Sequence, residues 1–387
     1  MLNFNYSIPT KVYFGENQIN KLGRLIKKQG SRVLLTYGGG SIKRNGIYDK
    51  IVEILNSQEI SFFELGGIEP NPRLTSVKEG VRICRENNID FILAIGGGSI
   101  IDCSKIIAAG YHYEGEPWDF FVGKARITNA LPIGTILTIS ATGSEMNGNA
   151  VISNLETEEK LAVSNEILKP KFSILDPMYT TTVPANQTIA GTVDIMSHVF
   201  EQYFSLTKEA FLQDRLAEAV LKTCIKYGPI VVKEPENYEA RANLMWASSI
   251  ALNGLLTYGK ITDWATHGME HELSAIYDIT HGIGLGILTS HWMSYVLDES
   301  TVDKFAEYGV NVWNIDIKED KLAMAKKAIA KTKEFFAALG IPATLHEVGI
   351  NDERLEEMAQ KAAGNRGLGS FKKLQKEDIL KIYKAAL

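Results

Sequence analysis

Between Asp194 and His281 the chain gathers four of its seven histidines. Asp194-Ile195-Met196-Ser197-His198 sets a carboxylate and an imidazole at i and i+4, one above the other on a single helix face. His267-Gly268-Met269-Glu270-His271 repeats that spacing, and His281 follows ten residues later. One carboxylate oxygen with several imidazole nitrogens suits Zn²⁺ or Fe²⁺ better than Ca²⁺ or Mg²⁺, which take mostly oxygen. The stretch holds one cysteine, Cys224, with no partner near it in sequence, so a closed thiolate site is not expected. A lone Asp-x-x-x-His arises often by chance. It is the concentration of histidines, with only His112, His291 and His346 elsewhere, that predicts a catalytic metal.

Three earlier segments have the chemistry to hold a ligand rich in phosphate and hydroxyl oxygens. Tyr37-Gly38-Gly39-Gly40-Ser41 follows the apolar run Arg32–Thr36, and Gly96-Gly97-Gly98-Ser99 follows Phe91–Ile95. Both glycine triplets fall where a strand ends and a helix begins, where free N–H groups and the positive end of the helix dipole favour phosphate. Glycine there lets the backbone approach a pyrophosphate. Neither loop matches the G-x-G-x-x-G fingerprint. Ser99 is placed to cap the following helix, and Asp102 either completes that cap or reaches a bound ligand. The third segment, Leu131 to Glu145, is an apolar strand running into a loop with Thr138, Ser140, Thr142 and Ser144. Lys160, in the second strand of the hairpin that follows, either meets a phosphate or ribose or is solvated.

The elements that must position these residues alternate strand and helix over the first half of the chain. Strands are expected at 32–36, 61–65, 91–95 and 172–176, with helices at 18–29, 46–57 and 74–87, giving a parallel sheet with helices on both faces. Asn3 to Phe14 reads as extended structure, an edge strand or an arm. From Pro184 onward helical patterns dominate, as at 211–227, 238–253, 303–310 and 321–339. The expected fold is therefore an α/β dinucleotide-binding domain over residues 1–184 and an all-helical metal-binding domain over 185–387. The phosphate loops lie in the first and the histidines in the second, so a reaction in a cleft between the two is expected.

Composition sets the outer bounds. At 387 residues, 45% hydrophobic and 22% charged, the chain suits two ordinary globular domains. A net charge of −5 carries no electrostatic footprint for nucleic acid or an anionic membrane. Three scattered cysteines imply no disulfide framework and fit a reducing compartment. Met1 to Gly15 lacks the basic and apolar regions of a signal peptide, and no apolar run reaches membrane-spanning length. A cytoplasmic enzyme is expected.

Taken together, Gly96-Gly97-Gly98-Ser99-Ile100-Ile101-Asp102, Ser140-Ala141-Thr142-Gly143-Ser144-Glu145, Asp194-x-x-x-His198, and His267-x-x-x-His271 followed by His281-Gly282 resemble the iron-containing (group III) alcohol dehydrogenases. The likeness covers essentially the full length and looks nearest to their NADPH-dependent butanol dehydrogenase branch. It implies a dehydroquinate synthase-like fold, with Asp194, His198, His267 and His281 as ligands of one Fe²⁺ or Zn²⁺. It also implies that His271 lies near the substrate without binding metal, and that Thr138, Ser144, Lys160 and the Pro70-Asn71-Pro72 turn contact the cofactor. Ala141 departs from the glycine that many members carry there, a conservative change. Members preferring NAD tend to carry an aspartate at the position of Gly39, which would repel a 2′-phosphate. With no acid there, and Lys43 and Arg44 close behind, NADP(H) is expected. The resemblance implies reduction of small aldehydes, or oxidation of small primary alcohols such as butanol, by hydride transfer at a carbonyl that the metal polarises. Trp264, Met269 and Leu273 around the histidines suggest an apolar substrate pocket. A homodimer paired through the N-terminal extended segment is expected. Glycerol dehydrogenase-like or dehydroquinate synthase-like chemistry and a non-catalytic metal or nucleotide sensor are the alternatives. The lyase would need basic residues to hold a phosphorylated substrate, and none lies within three positions of a ligand.

Overall fold

In the computed structural model, which describes residues 1–387, apolar runs and amphipathic helices alternate as the sequence suggests. The strands are β1 (Lys11–Phe14), β2 (Arg32–Tyr37), β3 (Ser61–Leu65), β4 (Phe91–Gly96), β5 (Ile133–Leu137), β6 (Asn149–Asn154), β7 (Glu159–Ser164) and β8 (Phe172–Leu175). The first helices are α1 (Leu22–Lys27), α2 (Ser41–Arg44), α3 (Ile47–Ser57), α4 (Leu74–Glu86) and α5 (Gly98–Gly110). Six strands form one sheet in the order β1-β8-β5-β4-β2-β3, every pair parallel. Strands apolar on both faces, β4, β5 and β8, are buried throughout, whereas the mixed sequences of β1 and β3 occupy the edges. One core packs α1 and α3 against Val33, Leu35, Leu93 and Ile95. The other packs α4 and α5 against Leu34, Ile92 and Ala94.

Strand order reverses between β2 and β4, which pair side by side. Their carboxyl ends, carrying Gly38–Gly40 and Gly96–Gly98, therefore emerge next to each other at a topological switch point. β5 pairs with the other side of β4, and Thr138 N–H donates to Gly96 O at 3.1 Å, so the hydroxyl-rich loop joins the same edge. The predicted hairpin is present as antiparallel β6 and β7, with Ser153 opposite Lys160.

The remaining helices are α6 (Ala185–Tyr203), α7 (Phe211–Lys233), α8 (Tyr238–Leu252), α9 (Ala265–Tyr277), α10 (His281–Val296), α11 (Val302–Trp313), α12 (Lys321–Leu339), α13 (Leu355–Ala363) and α14 (Lys376–Ala385). α7 continues past the expected end at Tyr227, with Pro229 inside it. No helix is long and apolar enough to cross a membrane.

The chain divides into two compact units, Ser7–Val183 with Pro235–Ser249, and Met1–Tyr6 with Pro184–Glu234 and Ile250–Leu387. The break at 183/184 falls one residue before the expected boundary, and the 1–184 and 185–387 division needs two larger corrections. Met1–Tyr6 belongs with the helices, because Leu2 N–H donates to Gly259 O and Phe4 and Tyr6 lie against Tyr258. Most of α8 belongs with the α/β unit, because Met245 enters the core under β4, Trp246 meets Phe14 edge-on, and the Ser249 hydroxyl donates to Glu145. The extended N-terminal reading also narrows, since only Lys11–Phe14 forms a strand.

The helical unit closes around Phe204, fully buried among the rings of Trp292, Phe305, Tyr308 and Phe371. Phe204→Ala leaves a cavity there and is expected to cost about 3–5 kcal/mol. A lowered thermal midpoint with retained far-ultraviolet circular dichroism is the expected reading, and an unaltered midpoint would contradict this packing.

Candidate active site

Three helices deliver the predicted ligands of the metal. α6 carries Asp194 and His198 on its buried face, His267 lies in the first turn of α9, and His281 opens α10. Asp194 Oδ1 stands 3.4 Å from His198 Nδ1, 3.8 Å from His267 Nε2 and 3.8 Å from His281 Nε2. The ligand atoms of Asp194, His267 and His281 lie within 4.8 Å of one another, a separation that one ion can bridge. His198 stands beside this trio, its ring 4.6 Å from that of His267, but its nitrogens fall outside the tight group.

Two carboxylates that the sequence reading missed hold the imidazoles in place. Glu201 hydrogen-bonds His267 Nδ1 through one oxygen, and its other oxygen accepts the backbone N–H groups of Thr266 and His267. Glu270 hydrogen-bonds His281 Nδ1 and accepts the Ser274 hydroxyl. Both are buried. With Nδ1 engaged, each ring turns Nε2 towards Asp194, the outer hydrogen bond that orients metal-binding histidines. A signal was available: Glu201 extends the Asp194–His198 stripe by a further turn, and Glu270 is three residues after His267.

The donor set fits a divalent iron or zinc. Asp194 Oδ1, His198 Nδ1 and His267 Nε2 are buried and have no hydrogen-bond partner, and buried polar atoms seldom stay unsatisfied. Burial would raise the Asp194 carboxyl, yet the three histidines outweigh it and hold it far below the usual range, so it remains an anion. Burial holds His198 down to about 3, as a neutral imidazole. For His267 burial acts downward, but Glu201 and Asp194 prevail and lift it to about 10. A buried carboxylate ringed by imidazole nitrogens, with these donor atoms left without hydrogen-bond partners, is a set that a divalent cation satisfies.

His271 lies one turn beyond His267 on α9, its ring 5.7 Å from that of His281, and stays outside the Asp194 trio. It falls instead in a second group with Glu270 and His281, whose short contact is the orienting hydrogen bond just described. Of the three apolar neighbours expected to line a pocket, Met269 and Leu273 are fully buried inside the unit. Trp264 alone keeps some exposure, with its indole 5.5 Å from His267 and 6.3 Å from His198. Its backbone is left-handed at φ 71°, an uncommon conformation for a bulky residue.

In the α/β unit, Gly38, Gly39, Gly40, Ser41, Gly97, Ser99, Thr138, Ser140 and Thr142 keep exposed or partly exposed surface at the carboxyl edge of the sheet. Gly98, Ser144, Asn71 and Lys160 are buried. Several sequence expectations change here. A Cβ on Gly97 would stand 2.1 Å from Ile139 Cγ2, and one on Gly98 2.4 Å from Thr142 Oγ1. Glycine is thus required at both positions by contact with the neighbouring loop. Ser99 does not cap α5, whose N-cap is Gly97. Asp102 completes no cap either; it accepts the Ser144 hydroxyl at 2.5 Å and the Val151 N–H at 3.0 Å. Lys160 is not a solvated surface residue. Asn71 adopts φ 51° in its turn. Gly39 is open, with nothing within 4 Å of a Cβ built there. Lys43, expected near a 2′-phosphate, is 3.6 Å from Glu64 and sits over the rings of Tyr37 and Tyr48.

The iron-containing alcohol dehydrogenase model matches residues 9–177, and the C-terminal model of the Fe-containing alcohol dehydrogenase family matches residues 188–387. The chain belongs to the iron-containing alcohol dehydrogenase family. Within that family it is 59% identical to NADH-dependent butanol dehydrogenase A of Clostridium acetobutylicum, over 99% of each chain. It is 40% identical to the NADPH-dependent aldehyde reductase YqhD of Escherichia coli, over the full length of both. Among solved structures, NADH-dependent butanol dehydrogenase A from Thermotoga maritima superposes with a TM-score of 0.96 at 40% identity, covering 100% of this chain and 99% of that one.

If Glu201 and Glu270 orient the ligands, Glu201→Gln and Glu270→Gln should each weaken metal affinity by about 10–100-fold. Competition with a chromophoric chelator measures this, and wild-type affinity in both variants would remove the orienting role.

Proposed function

We propose that this member of the family is a metal-dependent alcohol dehydrogenase and aldehyde reductase acting on small primary alcohols and aldehydes such as butanol and butanal. The observation that carries the reading is the convergence of Asp194 Oδ1, His267 Nε2 and His281 Nε2, with each imidazole locked from behind by a buried carboxylate. When bound, Fe²⁺ or Zn²⁺ supplies Lewis acidity that polarises a carbonyl or lowers the pKa of an alcohol. His198 completes the donor set as the fourth ligand, its neutral ring beside Asp194. His271, next to the ligand group but outside it, is placed to pass a proton to or from the substrate oxygen, a task suited to imidazole. Trp264 supplies an apolar wall beside the ligands.

Gly38–Ser41, Gly97–Ser99 and the hydroxyl loop form the reading's nicotinamide dinucleotide site, with N–H groups for the pyrophosphate and Lys160 and Asn71 for the remainder of the cofactor. The open space at Gly39 supports NADP(H), since no carboxylate there opposes a 2′-phosphate. Against it stand the engagement of Lys43 with Glu64 and the relatives at 59% and 58% identity that are named NADH-dependent. We read the loop as admitting NADPH without demanding it. A homodimer paired through β1 belongs to the same reading, supported by the position of that strand at the sheet edge.

The test is oxidation of NADPH and NADH, measured in parallel with a short aldehyde series after separate loading with iron and zinc. Metal-requiring turnover of butanal is expected, and its absence with both metals and both nucleotides would overturn the proposal. Gly39→Asp should lower kcat/KM for NADPH at least about tenfold and spare NADH; an equal loss for both would show that residue 39 does not face the 2′ position. His271→Ala should reduce turnover while retaining metal, whereas His267→Ala should lose both. Equal metal loss in the two variants would end that division of roles.

A further inference from the structure

Lys105 sits on α5 one turn beyond Asp102, with no solvent exposure. A lysine is almost never fully buried without partners, and here all three ammonium protons have acceptors. They go to Ser144 Oγ at 2.7 Å, Asn147 Oδ1 at 3.1 Å and the Asn149 carbonyl at 2.7 Å. The Ser144 hydroxyl, accepting from Lys105, donates in turn to Asp102, whose second oxygen takes the Val151 N–H. Asn147 fastens the same stretch internally, donating to Gly143 O and accepting the Asn149 N–H.

The groups that Lys105 and Asp102 engage all come from one piece of chain, residues 144–151, where the hydroxyl loop ends and β6 begins. β6 pairs with β7 and so carries Lys160 opposite Ser153. α5 itself starts in the second glycine loop. Two side chains of one helix therefore tie the glycine loop, the hydroxyl loop and the Lys160 hairpin into a single register. A methionine at 105 would match the length of the side chain. It would take one donor each from Ser144, Asn147 and Asn149, and remove the larger of the two cationic influences on Asp102, the other being Lys160.

We propose that Lys105 is a positioning residue for the dinucleotide, holding these three segments in their binding arrangement without touching the cofactor itself. This rests on the nicotinamide reading above.

The experiment compares the metal-loaded wild type with Lys105→Met, Asn147→Ala and, as a control, Ile51→Ala, which removes a buried side chain in α3 remote from the network. Dissociation constants for NADH and NADPH are read from nicotinamide fluorescence, alongside metal content, thermal midpoint and steady-state kinetics. Lys105→Met should raise both dissociation constants about tenfold or more. The nucleotide KM should rise in step, while metal content and kcat at saturating nucleotide stay near wild type. Asn147→Ala should shift the constants the same way, and decides the matter if Lys105→Met does not fold. Ile51→Ala should lower the thermal midpoint and leave nucleotide affinity unchanged. Wild-type nucleotide affinity in folded Lys105→Met, or in Asn147→Ala if the former does not fold, would overturn the proposal. So would an equal loss of affinity in Ile51→Ala, because destabilisation alone would then suffice. A wild type that binds neither nucleotide would overturn the nicotinamide reading itself, an outcome visible before any variant is compared.

Discussion

The constraint on which the helical unit depends is the burial of the Asp194 carboxylate. An ionised carboxylate removed from water is costly unless positive charge and hydrogen-bond donors answer it. Here the imidazoles of His198, His267 and His281, carried by α6, α9 and α10, surround the same oxygen without hydrogen-bonding to it, leaving the charge to be met by a cation. The requirement then spreads outward. Glu201 fixes His267 and the first turn of α9, and Glu270 fixes His281 at the head of α10. Each is a further buried charge with its own partners, so one carboxylate specifies the mutual placement of α6, α9 and α10.

In the α/β unit a different constraint does the same work. The loops after β4 and β5 approach until a methyl group on Gly97 or Gly98 would collide with Ile139 or Thr142. The absence of a side chain at both glycines lets the two loops come this close, and the Asp102–Ser144–Lys105 chain holds them there. The glycines and the buried lysine are complementary parts of one local solution. Burial draws the Lys105 ammonium down to about 8, with Asp102 and Glu145 opposing that fall.

Much of this was legible in the sequence. Strand–helix alternation and apolar runs located the parallel sheet, and the spacing Asp194–His198 placed a carboxylate and an imidazole on one buried face of a helix. What escaped had physical reasons. Glu201 and Glu270 look like surface acids until the fold points them at imidazoles, because their function depends on what lies across the helix. Lys105 reads as an ordinary helix residue for the same reason. Asp102 and Ser99 fit a capping pattern, but the structure starts α5 at Gly98, two residues before a Ser99 cap would start it, and turns Asp102 inward. The assignment of α8 to the α/β unit was invisible to periodicity, which reports that a helix has a buried face without naming what covers it.

The left-handed backbone of Trp264 has a consequence for how this scaffold can change. Holding a non-glycine residue in that conformation costs about 1–2 kcal/mol, which the surroundings of the indole must outweigh. Glycine at the same position would release that strain, at the expense of roughly 0.4–1 kcal/mol in added freedom of the unfolded chain. The backbone terms then nearly cancel, leaving the lost indole contacts as the main penalty. The side chain beside His198 and His267 can thus be emptied with little disturbance to the turn that carries it, so position 264 is one where side-chain bulk can change while the backbone stays as it is.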